Sequence, residues 1–173
     1  AAELGHMIME LDGPVCGCGE HGCLEALASR TAIERDLRAA MKAGRKTVLT
    51  ELLKKKNVIK SGVLRRALEA EDDLAIKVMR KASEILGKAC LSLRHIFDPD
   101  AILLGGGLIE ACSGFILPIM NEVLAADTLT GTRPAAPLLV ARLGDDAVAL
   151  GAVAAALESA GLSRKKARER ALP

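Results

Sequence analysis

The sequence predicts an α/β chain that is rich in helix and poor in strand, and three observations carry that reading. Apolar runs at residues 4–11, 101–104 and 138–143 have the length of strands. The segments between them space their apolar residues for helices. The resulting order is strand, helices, strand, helix, strand, helix, an α/β alternation with too few strands for a complete sheet. A length of 173 residues fits one domain, and a composition 50% apolar and 27% charged excludes a disordered chain.

Each element has its own signal. The first run stops at Asp12-Gly13-Pro14, a turn sequence, and residues 15–23 are too rich in Gly and Cys for regular structure. Leu24, Leu27, Ala28, Ala32, Leu37, Ala40 and Met41 place a single amphipathic helix over residues 23–42, with Gly44 as its stop. Thr50 heads a short helix over 52–56, and Ser61 another over 63–71. A long helix follows over 73–96, its apolar face running from Leu74 to Ile96, and Asp98-Pro99 ends it. Residues 101–104 and 138–143 read as buried strands. The first enters Gly105-Gly106-Gly107 and a helix reaching Ala126, with Pro118 opening a second segment. Asp145 or Asp146 caps a small-residue helix over 147–160, stopped by Gly161.

Composition removes several function classes. Two Phe and no Tyr or Trp leave almost nothing on which a single-stranded nucleic acid could stack. Lys and Arg exceed Asp and Glu by 24 to 22, but the tail 163–173 holds five basic residues and one acid. The body keeps 19 basic against 21 acidic residues, so a global basic surface for DNA is excluded. The tail itself reads as a solvated, frayed terminus. No apolar run reaches the length of a membrane span on this reading, the longest lying at 101–109 and 147–157. The opening Ala-Ala-Glu-Leu-Gly-His has no charged-then-apolar leader and reads as the interior of a longer polypeptide. Of five Cys, three cluster within eight residues, which points to a metal site in a reducing, cytoplasmic compartment rather than to a disulfide framework.

That cluster is the sharpest chemical signal. Cys16, Cys18 and Cys23 with His6 upstream supply three thiolates and one imidazole, a complete tetrahedral shell for a structural zinc, and Gly17, Gly19 and Gly22 let a short loop turn its sulfurs inward. Free thiols in a Gly-rich turn are the competing reading. His21 competes with His6 as fourth ligand, but its place inside the loop would strain the backbone, so it is expected to be exposed. Cys90 and Cys112 fall on apolar helix faces as small core residues. Gly105, Gly106 and Gly107, between strand and helix, present backbone N–H groups either to a phosphate or simply around a tight turn. Glu3 and Glu25 flank the cysteine loop. A metal shared by His6 and Cys23 would hold both acids near one place, where carboxylates accept hydrogen bonds from a polyol. Without the loop, Glu25 is a first-turn acid favoured by the helix dipole.

Glu3-Leu4-Gly5-His6, Cys16-Gly17-Cys18 and Gly22-Cys23-Leu24-Glu25 resemble the signature of the ROK family, in residue type and in every spacing. That family comprises repressors, uncharacterised open reading frames and sugar kinases, bacterial glucokinases among them. The run from Asp98 to Gly107 resembles its second glycine-rich nucleotide segment, and residues 144–156 its C-terminal small-residue helix. The resemblance implies an actin-like, ribonuclease-H-like pair of α/β domains with the sugar in the cleft. It implies zinc on His6, Cys16, Cys18 and Cys23, sugar contacts at Glu3, His6 and Glu25, the ATP phosphates or adenosine along Gly105, Gly106 and Gly107, and magnesium on the phosphates.

One departure is large. The family's Asp-x-Gly-Gly-Thr phosphate motif and the catalytic Asp that precedes the Glu-x-Gly-His segment are both missing from these residues. Residues 1–162 are therefore expected to be the C-terminal sugar- and nucleotide-binding part of a hexose kinase, with the zinc loop at 6–25. An upstream domain would hold the general base, so the isolated chain is expected to be inactive. The rival expectation is a sugar-responsive repressor of the same family with its DNA-binding module upstream, and a third is a zinc-stabilised domain with no sugar function. The apolar helix 73–96 is a candidate face for a homodimer, or else core.

Overall fold

A computed structural model describes residues 3–53, 58–129 and 136–161, and it is a helix-rich α/β body. In chain order it contains α1 (Leu24–Ala28), α2 (Arg30–Lys42), α3 (Leu49–Leu52), α4 (Ser61–Glu69), α5 (Asp73–Phe97), β1 (Ile102–Leu104), α6 (Gly107–Ala125), β2 (Leu138–Val140) and α7 (Ala147–Ser159). The tail 163–173 and the end of the helix expected over 52–56 lie outside the described residues.

The core forms around α5 and α6. Gly87 sits where they meet: a Cβ there would lie 2.9 Å from the Val123 Cβ and 3.2 Å from the Met120 Cα, so only a bare Cα permits this approach. Met79, Ala82 and Cys90 of α5 and Cys112, Ile116 and Met120 of α6 are buried there with Ile33 and Leu37 of α2 and Leu64 of α4. The helix expected over 73–96 is thus largely core, and both cysteines fill space as expected. α5 ends where Asp98 turns left-handed, at φ 41°, ahead of Pro99.

At the other end of α5, Asp72 caps the helix and pins a second segment. Its carboxylate accepts from the Ala75 N–H at 2.8 Å, the Val48 N–H at 2.8 Å and the Thr47 hydroxyl at 3.1 Å, all while nearly buried. Replacing Asp72 by Ala removes a helix cap and leaves the Val48 donor without its acceptor, an expected cost of about 2–4 kcal/mol. A urea titration of the Asp72→Ala protein checks this, and an unshifted midpoint would refute it.

Several expectations are corrected. Residues 4–11 form no strand: Leu4–His6 is a 3-10 turn, and only an isolated antiparallel bridge joins Ile8 to Cys23. The single helix over 23–42 is two, because Ser29 takes extended backbone, at ψ 162°, and its Oγ accepts from the Ala32 N–H at 3.1 Å to start α2 afresh. Pro118 lies inside an unbroken α6 rather than opening a second segment. At α7 the Asp146 side chain makes no capping bond, and a 3-10 turn at Gly144–Asp146 leads in.

The strands pair in parallel, Ile102 with Leu138, Leu103 with Leu139 and Leu104 with Val140. They are buried on one face only. Ile102, Leu104, Leu138 and Val140 pack on the core, whereas Leu103 is 67% and Leu139 47% exposed. α7 likewise buries none of its residues, with Val148 83% exposed. The membrane expectation also needs amendment: the 19 residues of α6 are long and apolar enough to cross a bilayer. In this fold that helix packs against α5, α4 and β2 and buries Ile109, Cys112, Ile116, Ile119, Met120 and Leu124.

Candidate functional site

The loop that follows the first 3-10 turn is folded back by glycine. The Gly22 carbonyl accepts from the Met9 N–H at 2.8 Å, the Gly22 N–H donates to Pro14 at 2.9 Å, and the Leu24 N–H donates to Met7 at 2.8 Å. Gly22 has φ 69°, and a methyl group on it would overlap the Glu10 carbonyl oxygen. Gly13 crosses at the same point, where a Cβ would stand 2.7 Å from the Gly22 Cα. In the sequence Gly13 belongs to a turn signal and Gly22 to the glycines that let the loop turn its sulfurs inward. Their mutual contact is a long-range property with no local signal.

This crossing brings together His6, Cys16, Cys18 and Cys23, whose ligand atoms all lie within 4.8 Å of one another. The Cys18 and Cys23 sulfurs are 3.7 Å apart, and Cys16 Sγ lies 3.7 Å from His6 Nδ1. Zn–S bonds of about 2.3 Å in a tetrahedron put sulfurs about 3.8 Å from one another, so these separations fit the edges of a zinc shell. The surroundings shift the thiols in opposite directions. Burial pushes the Cys23 thiol up to about 12, the neighbouring sulfurs adding to the effect, while a hydrogen bond from the Glu20 backbone pulls Cys18 below its ordinary value. His21 is no part of the cluster: its exposed ring bonds through Nδ1 to the Gly13 carbonyl at 3.1 Å, as its expected exclusion requires.

The three residues read as sugar contacts converge beside the cluster. His6 aims Nδ1 at Cys16 and turns Nε2 toward Glu3, whose carboxylate is 3.9 Å away. Glu25, in the first turn of α1, lays its carboxylate over Gly5: a Cβ at Gly5 would stand 3.3 Å from Glu25 Oε2. Gly5, part of the Glu3-Leu4-Gly5-His6 motif, thus lies directly beneath the Glu25 carboxylate. Glu3, His6 and Glu25 are all exposed.

Gly105, Gly106 and Gly107 occupy the turn from β1 into α6, Gly106 at φ 98°. Gly105 faces Ala141, just past β2, and Gly144 faces the Glu110 carboxylate of α6. Both glycine turns therefore lie at the carboxyl ends of the two parallel strands, the edge where open α/β sheets take ligands.

A helix-rich α/β body with a small parallel sheet, aligned with the C-terminal part of actin-like, ribonuclease-H-like sugar kinases, defines the class of protein. The ROK family model matches residues 1–159, and the chain belongs to the ROK family. It is 33% identical over 162 residues to the glucokinase of Thermotoga maritima, covering 92% of this chain and 50% of that protein. It superimposes with TM-score 0.74 and 30% identity on a ROK family glucokinase from Streptomyces griseus in complex with glucose and AMPPNP, over 88% of this chain and 50% of that one. It also resembles a ROK family transcriptional regulator, a homolog of the E. coli MLC protein, with TM-score 0.68 and 29% identity over 80% of this chain and 34% of that one. The chain spans about half the length of the curated glucokinases it matches.

Proposed function

We propose that the chain is the C-terminal half of an ATP-dependent hexose kinase of the glucokinase type, working in the cytoplasm as a homo-oligomer. The carrying observation is the division of His6: one ring nitrogen faces the thiol cluster, the other faces Glu3, and Glu25 stands over Gly5 alongside. A hydroxyl both donates and accepts, so a sugar hydroxyl donating to a carboxylate can accept from the His6 Nε2–H. Glu3, His6 and Glu25 would orient the sugar in this way. Zinc, when bound by His6, Cys16, Cys18 and Cys23, supplies no step of the reaction; it fixes the His6 ring and the loop.

Gly105, Gly106 and Gly107 would face the ATP phosphates, whose magnesium neutralises charge during transfer. The proton of the attacking hydroxyl needs a carboxylate within hydrogen-bond reach, and an Asp upstream of Glu3 in the whole polypeptide takes that role. Glu3 and Glu25 remain binding groups. The likeness to a glucokinase holding glucose and an ATP analogue supports this assignment of substrates.

The test joins the 173 residues to their upstream half and assays ADP release with aldohexoses and N-acetylhexosamines. The joined protein is expected to phosphorylate one of them, the isolated chain none. Glu25→Gln is expected to lower kcat/KM about 10- to 100-fold through loss of a charged hydrogen bond. No turnover by the joined protein would overturn the reading, and activity of the isolated chain would overturn the placement of the base. The likeness to a ROK transcriptional regulator favours a second reading, a sugar-responsive repressor. Sugar-dependent DNA binding by a joined protein without turnover would select it.

A further inference from the structure

Of the five cysteines, one pair is built to react with itself. Cys18 is exposed at the tip of the loop, and Cys23, fully buried, lies 3.7 Å from it sulfur to sulfur. A disulfide needs the sulfurs at about 2.05 Å, so the pair must close by about 1.7 Å. The surroundings decide which partner moves. Cys23 is fixed by its bridge to Ile8 and by the Leu24-to-Met7 hydrogen bond that follows it. Cys18 is followed by Gly19, at φ 94°, around whose Cα nothing lies within 4 Å of a Cβ position. Cys16 also lies against both of these thiols, but it is held more firmly, its N–H donating to the Glu20 carbonyl at 2.7 Å and its own carbonyl accepting from the Gly19 N–H at 2.9 Å, and its sulfur also meets His6. Cys90 and Cys112 are buried in the helical core, where burial raises both thiols.

We infer that Cys18 and Cys23 form a peroxide-sensitive dithiol, a second covalent state of the loop that excludes the metal. The exposed Cys18 sulfur attacks the terminal oxygen of a hydroperoxide. The O–O bond breaks, the alcohol or water leaves, and Cys18 becomes a sulfenic acid. Cys23 then attacks the Cys18 sulfur, the S–O bond breaks, and water leaves with the thiol proton as the disulfide forms. The peroxide is reduced by two electrons, and the two thiols lose them. Only Cys16 and His6 would then remain as donors, two short of a closed tetrahedral shell. The inference rests on the zinc reading for its consequence but not on the kinase reading.

The experiment uses the 173-residue protein, reduced without oxygen and divided into metal-free and zinc-loaded samples, each treated with hydrogen peroxide. Zinc release is followed with a chromogenic chelator. Mass spectrometry after cleavage at Glu20 separates the peptide holding Cys16 and Cys18 from the one holding Cys23. The expected result is one disulfide joining the two peptides, retained in Cys16→Ser and lost in Cys18→Ala, with one zinc released per disulfide. A disulfide that persists in Cys18→Ala while disappearing in Cys16→Ser would overturn the inference. So would Cys18 halting as a sulfinic acid with Cys23 still reduced, or zinc retained by the disulfide form. Failure of the reduced protein to take up zinc at all would refute the zinc reading, and the peptide map of the metal-free sample would still decide the disulfide.

Discussion

Removing zinc from the thiol cluster is expected to let the loop between Met7 and Cys23 open far more often, its closed form still populated, while the helical body stays folded. The reason lies in how little else holds that loop. Cys16, Cys23 and Ala26 form a buried cluster of their own, apart from the main core of α2, α4, α5 and α6. Two of the three are proposed zinc ligands, so without the metal the loop keeps almost no apolar burial of its own. A metal held at a thousand times its dissociation constant contributes about 4 kcal/mol, which local opening alone would lose. The expected reading is faster amide exchange at Met9, Cys16 and Gly22, by about a thousandfold, with the α5 and α6 amides little changed. Cys23→Ser should match the chelated wild type. Uniform acceleration across α5 and α6 would show instead that loop and body unfold as one.

Exchanging Gly22 for Ala is expected to abolish the cluster altogether. A methyl group there would have to displace the Glu10 carbonyl, which is backbone and cannot rotate aside, and φ 69° adds the ordinary penalty of a left-handed alanine. The combined cost exceeds about 4 kcal/mol, the range reserved for changes that break a structure locally. Because Gly22 carries the hydrogen bonds to Met9 and Pro14, the ligands on either side lose their register together. Zinc per chain in the purified Gly22→Ala protein measures this, and full loading would refute it. Gly17→Ala is the control, since nothing stands within 4 Å of the position its methyl group would take.

Much of this was legible in the sequence, and the reasons differ by element. α5 announces itself through a long apolar stripe opening at Asp73 and closed by Asp98-Pro99, both local signals, whereas its cap, Asp72, emerged only in the fold. The thiol cluster was legible because thiol spacing in a Gly-rich run has few other readings, and the structure gathers the four expected side chains. Residues 4–11 deceived because a short apolar run can serve a strand or a loop that docks through one bridge; Leu4, Ile8 and Leu11 are in fact exposed. The break at Ser29 was hidden by an apolar pattern that continues in phase across it. The strands read as buried because apolar runs suggest two covered faces, yet among the described residues only one face of the sheet is covered. A polyol role for Glu3 and Glu25 followed from their flanking the cysteine loop and was sharpened by family resemblance, whereas the placement of Glu25 over Gly5 and of Glu3 beside His6 belongs to the fold.

The exposure of α7 bears on how any melting curve of this chain should be interpreted. Thirteen residues without buried side chains draw little from the cooperative core, and an isolated helix of that length in water is marginal. Its helix–coil equilibrium therefore runs nearly independently of the transition that disassembles α5 from α6. Far-ultraviolet ellipticity sums the two: a sharp sigmoid from the body and a gradual, broad loss from α7. The native baseline will slope, and a two-state fit that treats the slope as instrumental will assign part of the helix to the wrong thermodynamic unit.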